Sequence, residues 1–323
     1  MGTAEILQVF ETTRIRDVVA FRALCNALKA LVIKQVVELW RRGNKGRMTV
    51  LDLGCGRGGD LRKWSCHRLR SFVGVDGGAA CVQEAVERHA VLVSQGKSNV
   101  QASFHTMDVT REPLPVAAGS ADAVSCMFFL QFAFASLGAA THVLDEVARV
   151  LREGGVLCCI LPDGDRVAQL LRERGDASFG HFRLSCLEAG RRSSASASAS
   201  AAQPPPQAPV GLAYNFSITT LTCTEFVVSP RLLQQLLEAR GFVGAGVDGG
   251  FFEGAQQFFS RGSEQEAVGA VLRGQRCSQV DWMSLGFFTV LLATKRPPEP
   301  AAEPAAEPAP QEPGRRTRRR GGG

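Results

Sequence analysis

The sequence predicts an α/β protein on a doubly wound, mostly parallel sheet. Three observations carry this: short apolar runs alternate with helical stretches from residue 49 onward, the first run ends in a glycine-dense turn, and the second closes on an acid. Strands are expected over residues 49–53, 71–75, 100–105, 123–129 and 155–161, with helices starting at Asp60, Ala79 and Thr141. Ahead of them Val18, Val19, Phe21, Leu24, Leu28, Leu31, Val32 and Val36 recur at helical spacing, which gives one or two amphipathic helices between residues 15 and 40. Ligands of such a sheet sit beyond the carboxyl ends of its strands, where Gly54, Asp76, Asp108 and Phe128 all fall.

Beyond the fifth strand the pattern changes. Residues 189–209 are a serine, alanine and proline run that cannot bury apolar surface, and are expected to form an insertion loop. A strand is then expected over 214–221, a helix over 230–240 and a last apolar strand over 287–293, ending at Lys295. Residues 297–323 read as a disordered proline, alanine and glutamate tail, so the ordered domain is expected to span 1–296. The tail carries Arg315, Arg316, Arg318, Arg319 and Arg320, a cluster that suits nuclear import, non-specific RNA contact or a solvated basic end alike.

With 323 residues, 45% of them hydrophobic, the chain can bury a full core. No opening segment resembles a signal peptide and no run of ~18 apolar residues is present, so a soluble protein without membrane attachment is expected. The ten cysteines include no Cys-x-x-Cys pair, which excludes a zinc ribbon and points to a reducing compartment. The net charge of +6 comes mainly from arginine, whose planar fork suits phosphate.

The run Val50-Leu51-Asp52-Leu53-Gly54-Cys55-Gly56-Arg57-Gly58-Gly59-Asp60-Leu61-Arg62-Lys63-Trp64 joins strand to helix through glycines that accept positive φ and let a ligand approach the backbone. Asp76 follows about 20 residues later, where an acid can grip ribose hydroxyls. The spacing is not G-x-G-x-x-G, and Asp52 and Asp60 flank the turn with negative charge. That charge repels a pyrophosphate and favours a cationic nucleoside, S-adenosylmethionine. A glycine turn alone serves equally well as a structural corner.

Leu-Gly-Cys-Gly-Arg-Gly-Gly-Asp-Leu-Arg-Lys-Trp resembles the signature of the messenger RNA cap guanine-N7 methyltransferases, and further matches extend the resemblance over residues ~14 to ~296. It implies a Rossmann-like class I methyltransferase with N-terminal helices and a C-terminal segment covering the substrate. The helix Phe21-Arg22-Ala23-Leu24-Cys25-Asn26-Ala27-Leu28-Lys29 is similar to a family helix whose lysine meets the methionine carboxylate. This makes Lys29 a cofactor residue and sets Asn26 near the cap. By the same matching Asp52, Gly54, Asp76 and Met127 line the cofactor site, and Asp108 accepts from the adenine amino group. Outside the resemblance Lys29 is a helix lysine and Asp108 a turn former.

Ser125-Cys126-Met127-Phe128-Phe129-Leu130-Gln131-Phe132 resembles a family segment with three departures: Met127 for a cofactor-binding glutamine, Gln131 for a cap-facing histidine and Phe132 for tyrosine. Phe128 and Phe132 keep aromatic faces, worth about 1–3 kcal/mol per stacked base, and Gln131 keeps a donor and an acceptor. Glu225 matches the acid that selects guanine, since an acceptor-only carboxylate pairs with the N1–H and amino donors of one base edge. Pro162 and Phe288 match the pocket walls, and Arg57 and Arg88 match basic positions near the triphosphate bridge.

The resemblance implies methyl transfer from S-adenosylmethionine to N7 of the mRNA cap guanosine, leaving S-adenosylhomocysteine. The ring nitrogen already offers its lone pair, so positioning suffices, and no general base, nucleophile or metal cluster is expected. Positioning alone supplies roughly 7–11 kcal/mol. The expected partner is the capped 5′ end of RNA, with other capping enzymes or the polymerase machinery around it. The expected location is the nucleus, or the cytoplasm for a viral or cytoplasmic capping system. No Lys-x-Asp-Gly guanylyltransferase motif is present. The alternatives are a Rossmann-like methyltransferase with another substrate, and a weakly catalytic cofactor-binding scaffold of a capping complex.

Overall fold

The computed structural model describes residues 19–187, 210–219, 221–261 and 277–297. The 189–209 insertion, the arginine cluster and all of the expected tail except Pro297 lie outside these residues.

The first helix, α1 (Val19–Arg41), is a single element. Its apolar residues fall every three or four positions and bury Phe21, Leu24, Leu28, Val32, Val36 and Trp40. At its far end Trp40 Nε1 donates to Asp122 Oδ1 at 3.0 Å, and Asp122 Oδ2 accepts from the Thr49 amide at 2.7 Å. The helix is thereby pinned across the starts of two strands.

The sheet core is β1 (Met48–Leu53), β2 (Leu69–Asp76), β3 (Gln101–Thr106), β4 (Ala121–Met127) and β5 (Leu151–Pro162), all mutually parallel and ordered β5-β4-β1-β2-β3. Between them run α2 (Leu61–Ser65), α3 (Ala79–Ser94), α4 (Leu130–Ala133) and α5 (Leu137–Val150). The expected strands each grow or shift by a few residues, since pairing continues beyond the apolar run. Helix α5 begins at Leu137 rather than Thr141, because Ser136 caps it by accepting from the Ala139 amide.

After β5 come α6 (Gly164–Arg174), capped by Asp163, and a separate antiparallel sheet of β6 (Asp176–Phe179), β7 (Phe182–Cys186), β8 (Ala213–Ile218) and β9 (Leu221–Phe226). The single strand expected over 214–221 is corrected here to a hairpin. Thr219 adopts φ +50°, a left-handed turn conformation that ends β8 at Ile218, and β9 returns from Leu221.

The chain then forms α7 (Pro230–Glu238), β10 (Phe242–Gly244), β11 (Phe252–Gly254), α8 (Ala255–Ser260), α9 (Gln279–Leu285) and β12 (Phe288–Lys295). Strand β12 runs antiparallel to β5, and both β10 and β11 pair with it, which completes an eight-stranded sheet. His181 Nε2 and Asp281 Oδ1 meet at 2.8 Å and tie α9 to the small sheet. Among the described residues no helix is long and apolar enough to cross a membrane.

Candidate functional site

The glycine turn leaves the carboxyl end of β1 in left-handed conformations at Gly54 (φ +68°) and Gly56 (φ +50°). A Cβ at Gly54 would stand 2.5 Å from the Phe129 ring, whereas one at Gly56 would meet none of the described residues within 4 Å. The first glycine is thus required by packing against the β4 end and the second borders room for a ligand. The Gly56 amide donates to Asp76 Oδ2 at 2.8 Å and the Gly78 amide to Asp76 Oδ1 at 2.9 Å. Both carboxylate oxygens are oriented by backbone, so Asp76 is held at the β2 end across from the turn.

Lys29 reaches this turn from α1. Its Nζ lies 2.6 Å from Asp60 Oδ2 and 5.3 Å from the Phe128 ring centroid, while Lys63 takes Asp60 Oδ1 at 2.7 Å. Burial opposes the charge on Lys29, yet Asp60 and Asp52 together outweigh it and raise its pKa. Burial likewise pushes Asp60 up, but the two lysines pull it below the usual carboxylate range. Asp52 has no such cation in contact; burial and the Asp60 charge push it up, and Ser125 Oγ donates to it at 2.5 Å. It lies within the strand layer as a hydrogen-bonded support beneath the turn.

Phe128 is the hub of the second half. It takes φ +65°, unusual for a bulky residue, while its amide donates to the Ile160 carbonyl at 2.7 Å. Its ring meets Phe288 edge-on at 5.0 Å, and Phe288 stands opposite Pro162 in the β5–β12 ladder. From α4 Gln131 Nε2 donates to the Phe128 carbonyl at 3.1 Å and to Glu225 Oε1 at 3.3 Å. Glu225 also accepts from the Tyr214 hydroxyl at 2.7 Å, and burial pushes its pKa up to about 7. Met127 is buried at the β4 end and Phe132 half-buried one residue past Gln131.

Lys29, Phe128, Gln131, Pro162, Glu225 and Phe288 are thus linked contact by contact, and Gly54, Asp76 and Met127 border the same strand ends. Arg57 and Arg88 also converge, since both pair with Glu84, and Arg88 Nη1 donates to the Arg57 carbonyl at 3.1 Å. Two residues stand apart from this chain of contacts. Asp108 folds back onto Thr110, accepting from its amide at 3.0 Å and its hydroxyl at 2.6 Å, a turn-forming arrangement. Asn26 is exposed on α1 one turn before Lys29. Sequence reasoning missed Tyr214 and Glu84, and read Asp60 only as charge. Asp60 was legible within the glycine motif and Tyr214 as the single tyrosine of the chain; nothing in the sequence marks Glu84. Among the described residues no cluster of His, Cys, Asp and Glu could hold a metal ion.

A family model described as mRNA (guanine-N(7))-methyltransferase domain matches residues 6–243. Similar proteins include the mRNA cap guanine-N(7) methyltransferase of Caenorhabditis elegans, 29% identical over 182 residues, which cover 55% of this chain and 48% of that protein. Its Caenorhabditis briggsae counterpart is 26% identical over 252 residues, 74% of this chain and 64% of that protein. The chain therefore spans from about half to nearly two thirds of the length of these relatives. Among solved structures the CcbJ methyltransferase from Streptomyces caelestis shares the fold, with a TM-score of 0.50 at 11% identity over 81% of this chain and 89% of that one.

Proposed function

The chain belongs to the mRNA (guanine-N(7))-methyltransferase family, and from that membership we propose that it methylates N7 of the guanosine cap of mRNA with S-adenosylmethionine as donor. The observation that carries the reading is the contact chain from the Lys29–Asp60 pair through Phe128 and Gln131 to Glu225. It joins a site for a zwitterion to a buried acceptor at one set of strand ends.

The donor set fits the cofactor. Lys29 offers a cation to the carboxylate of its amino-acid end and Asp60 an anion to the ammonium. The space that the described residues leave at Gly56 admits the nucleoside beside Asp76, whose carboxylate is the acceptor type that grips ribose hydroxyls. When bound, the cofactor supplies an electrophilic methyl carbon on a sulfonium.

The chain's own residues do the rest by positioning. Glu225 accepts from the N1–H and amino group of guanine, a donor pattern that adenine lacks. Phe128 and Phe288 exclude water and present ring faces and edges to the base, which orients its N7 lone pair. Arg57 and Arg88 meet on Glu84, which brings two guanidinium groups together, the donor type that binds the oxygens of a triphosphate bridge. No residue has to move a proton in the transfer step.

The test is transfer of labelled methyl from S-adenosylmethionine to GpppA-RNA by the purified protein, with Glu225→Ala and Asp76→Ala abolishing it while the circular dichroism spectrum stays native. Transfer only to uncapped or small substrates would favour another methyltransferase activity. Cofactor binding without transfer would favour a scaffold, a reading to which Met127, Gln131 and Phe132 lend weight as departures from the family pattern. For location, the arginine cluster at residues 315–320 favours nuclear entry, which a fluorescent fusion with and without that cluster tests.

A further inference from the structure

We propose that Tyr214 is a positioning residue for guanine selection, its hydroxyl and the Gln131 amide fixing the Glu225 carboxylate so that its remaining acceptor sites face the base. The inference rests on the cap reading above and adds the parts that hold the selecting acid.

Tyr214 stands directly opposite Glu225 in the β8–β9 ladder, is fully buried, and donates to Oε2 at 2.7 Å. The chain uses phenylalanine at 19 positions and tyrosine at one. A phenylalanine would fill the same volume without the cost of burying a hydroxyl, so the hydroxyl group is what this position supplies. On the other oxygen Gln131 Nε2 donates at 3.3 Å, itself steadied on the Phe128 carbonyl. A carboxylate has about four acceptor sites; Tyr214, Gln131 and a longer Cys223 Sγ contact at 3.9 Å take up to three of them, which fixes its rotation and leaves acceptor capacity for a ligand.

A second observation points outward. Gln131 is 2% exposed, yet its Oε1 has no hydrogen-bond partner. With Glu225 ionised, only the amide N–H can face it, so Oε1 turns away from the acid as a buried acceptor that a donor-bearing ligand satisfies. Acceptors from two side chains therefore converge where the guanine edge presents only donors.

Electrostatics agree. Burial raises Glu225, and the hydrogen bonds from Tyr214 and Gln131 draw it back toward ionisation. The groups facing it are Tyr214 on β8 and Cys223 on β9, both pushed well above neutrality by burial, while α4 carries no titratable side chain. Among the described residues facing it, Glu225 is the group that titrates near neutral pH.

The experiment compares wild type with Tyr214→Phe in methyl transfer to GpppA-RNA and to IpppA-RNA, whose inosine lacks the amino group, and measures S-adenosylhomocysteine binding by calorimetry. The variant is expected to raise KM for the guanine cap roughly ten- to hundred-fold, the range for one hydrogen bond to a charged group. It is also expected to shrink the preference for guanine over inosine and to move the acidic limb of the pH profile upward, with S-adenosylhomocysteine affinity unchanged. An unchanged KM and guanine preference overturns the inference while the cap reading stands. A loss of S-adenosylhomocysteine affinity in step with cap affinity overturns it in favour of a general structural role. A wild type that does not distinguish GpppA-RNA from uncapped RNA overturns both.

Discussion

Lys29 and Asp60 lie 31 residues apart in sequence and 2.6 Å apart in space, an ion pair that joins the first helix to the glycine turn. The pair is more than a brace. Asp60 already holds Lys63 on its other oxygen, which leaves Lys29 as the cation that can turn toward an incoming carboxylate without stranding the aspartate.

Replacing Lys29 with methionine keeps much of the side-chain volume and removes the charge. S-adenosylhomocysteine affinity is expected to fall roughly ten- to hundred-fold, the range of one charge-assisted hydrogen bond. Calorimetric titration reads the change. The melting temperature should move little, because Lys63 still neutralises Asp60.

Gly54 and Gly56 separate packing from binding. Gly54→Ala drives a methyl group into the Phe129 ring and demands a left-handed alanine, so urea unfolding should show a loss of about 2–4 kcal/mol from overpacking and backbone strain. Gly56→Ala meets no atom of the described residues and is expected to cost about 1–2 kcal/mol for its positive φ. Its larger effect is expected in S-adenosylhomocysteine binding, where the added methyl occupies the ligand's space.

Glu225 makes stability depend on pH. Its folded pKa of about 7 lies above the ordinary 4.5, so the native state binds the proton more tightly than the unfolded chain does. This contribution is fully present below pH 4.5 and is lost as pH rises through 7. The span corresponds to about 3 kcal/mol at 1.36 kcal/mol per unit. Glu225→Gln should flatten the stability profile across that window, as read by urea unfolding at several pH values. Cap affinity should run the opposite way in wild type and rise through pH 7, because guanine requires the ionised acid.

Asp122 gathers Trp40 of α1, the Thr49 amide of β1 and Arg152 of β5 on one carboxylate. Asp122→Ala strands the Trp40 and Thr49 donors and leaves Arg152 without its ion-pair partner, and is expected to cost about 3–5 kcal/mol, as for a broken buried pair. Trp40→Phe loses one neutral-to-charged bond and should cost about 1.5–3 kcal/mol. Thermal denaturation separates the two. KM for the capped substrate should be unmoved by Trp40→Phe, since the network lies at the opposite strand ends.

Most of the five-stranded parallel core was legible because its strands are apolar runs punctuated by glycine or aspartate, the polar edge strand β3 being the exception, and α1 because its leucines and valines keep helical spacing. Strands β6 and β7 were not, since runs of four and five residues with alternating burial carry little pattern. The turn at Thr219 was hidden as well, since threonine rarely adopts that conformation. In the site, residues inside motifs were readable one at a time. Their partners were not: Glu84 gathers Arg57 and Arg88, and Tyr214 meets Glu225 through strand pairing, and neither relation has a sequence spacing to announce it. The turn at Asp108, where the side chain bonds Thr110, is the case in which the plain local reading describes the geometry.

Strand β8 has a neighbour on each side at residue 214: Cys186 of β7 across one ladder and Glu225 of β9 across the other. Cys186 and Tyr214, which lie on either side of the serine- and proline-rich stretch in sequence, are thereby held facing each other across one ladder. Loop-closure entropy grows only logarithmically with chain length, by about 0.6 kcal/mol per doubling, so residues inserted in sequence between those two positions are expected to change unfolding free energy little. A change there is expected to reach Glu225 more directly, because Tyr214, which donates to it, is the residue at which β8 first pairs with both β7 and β9.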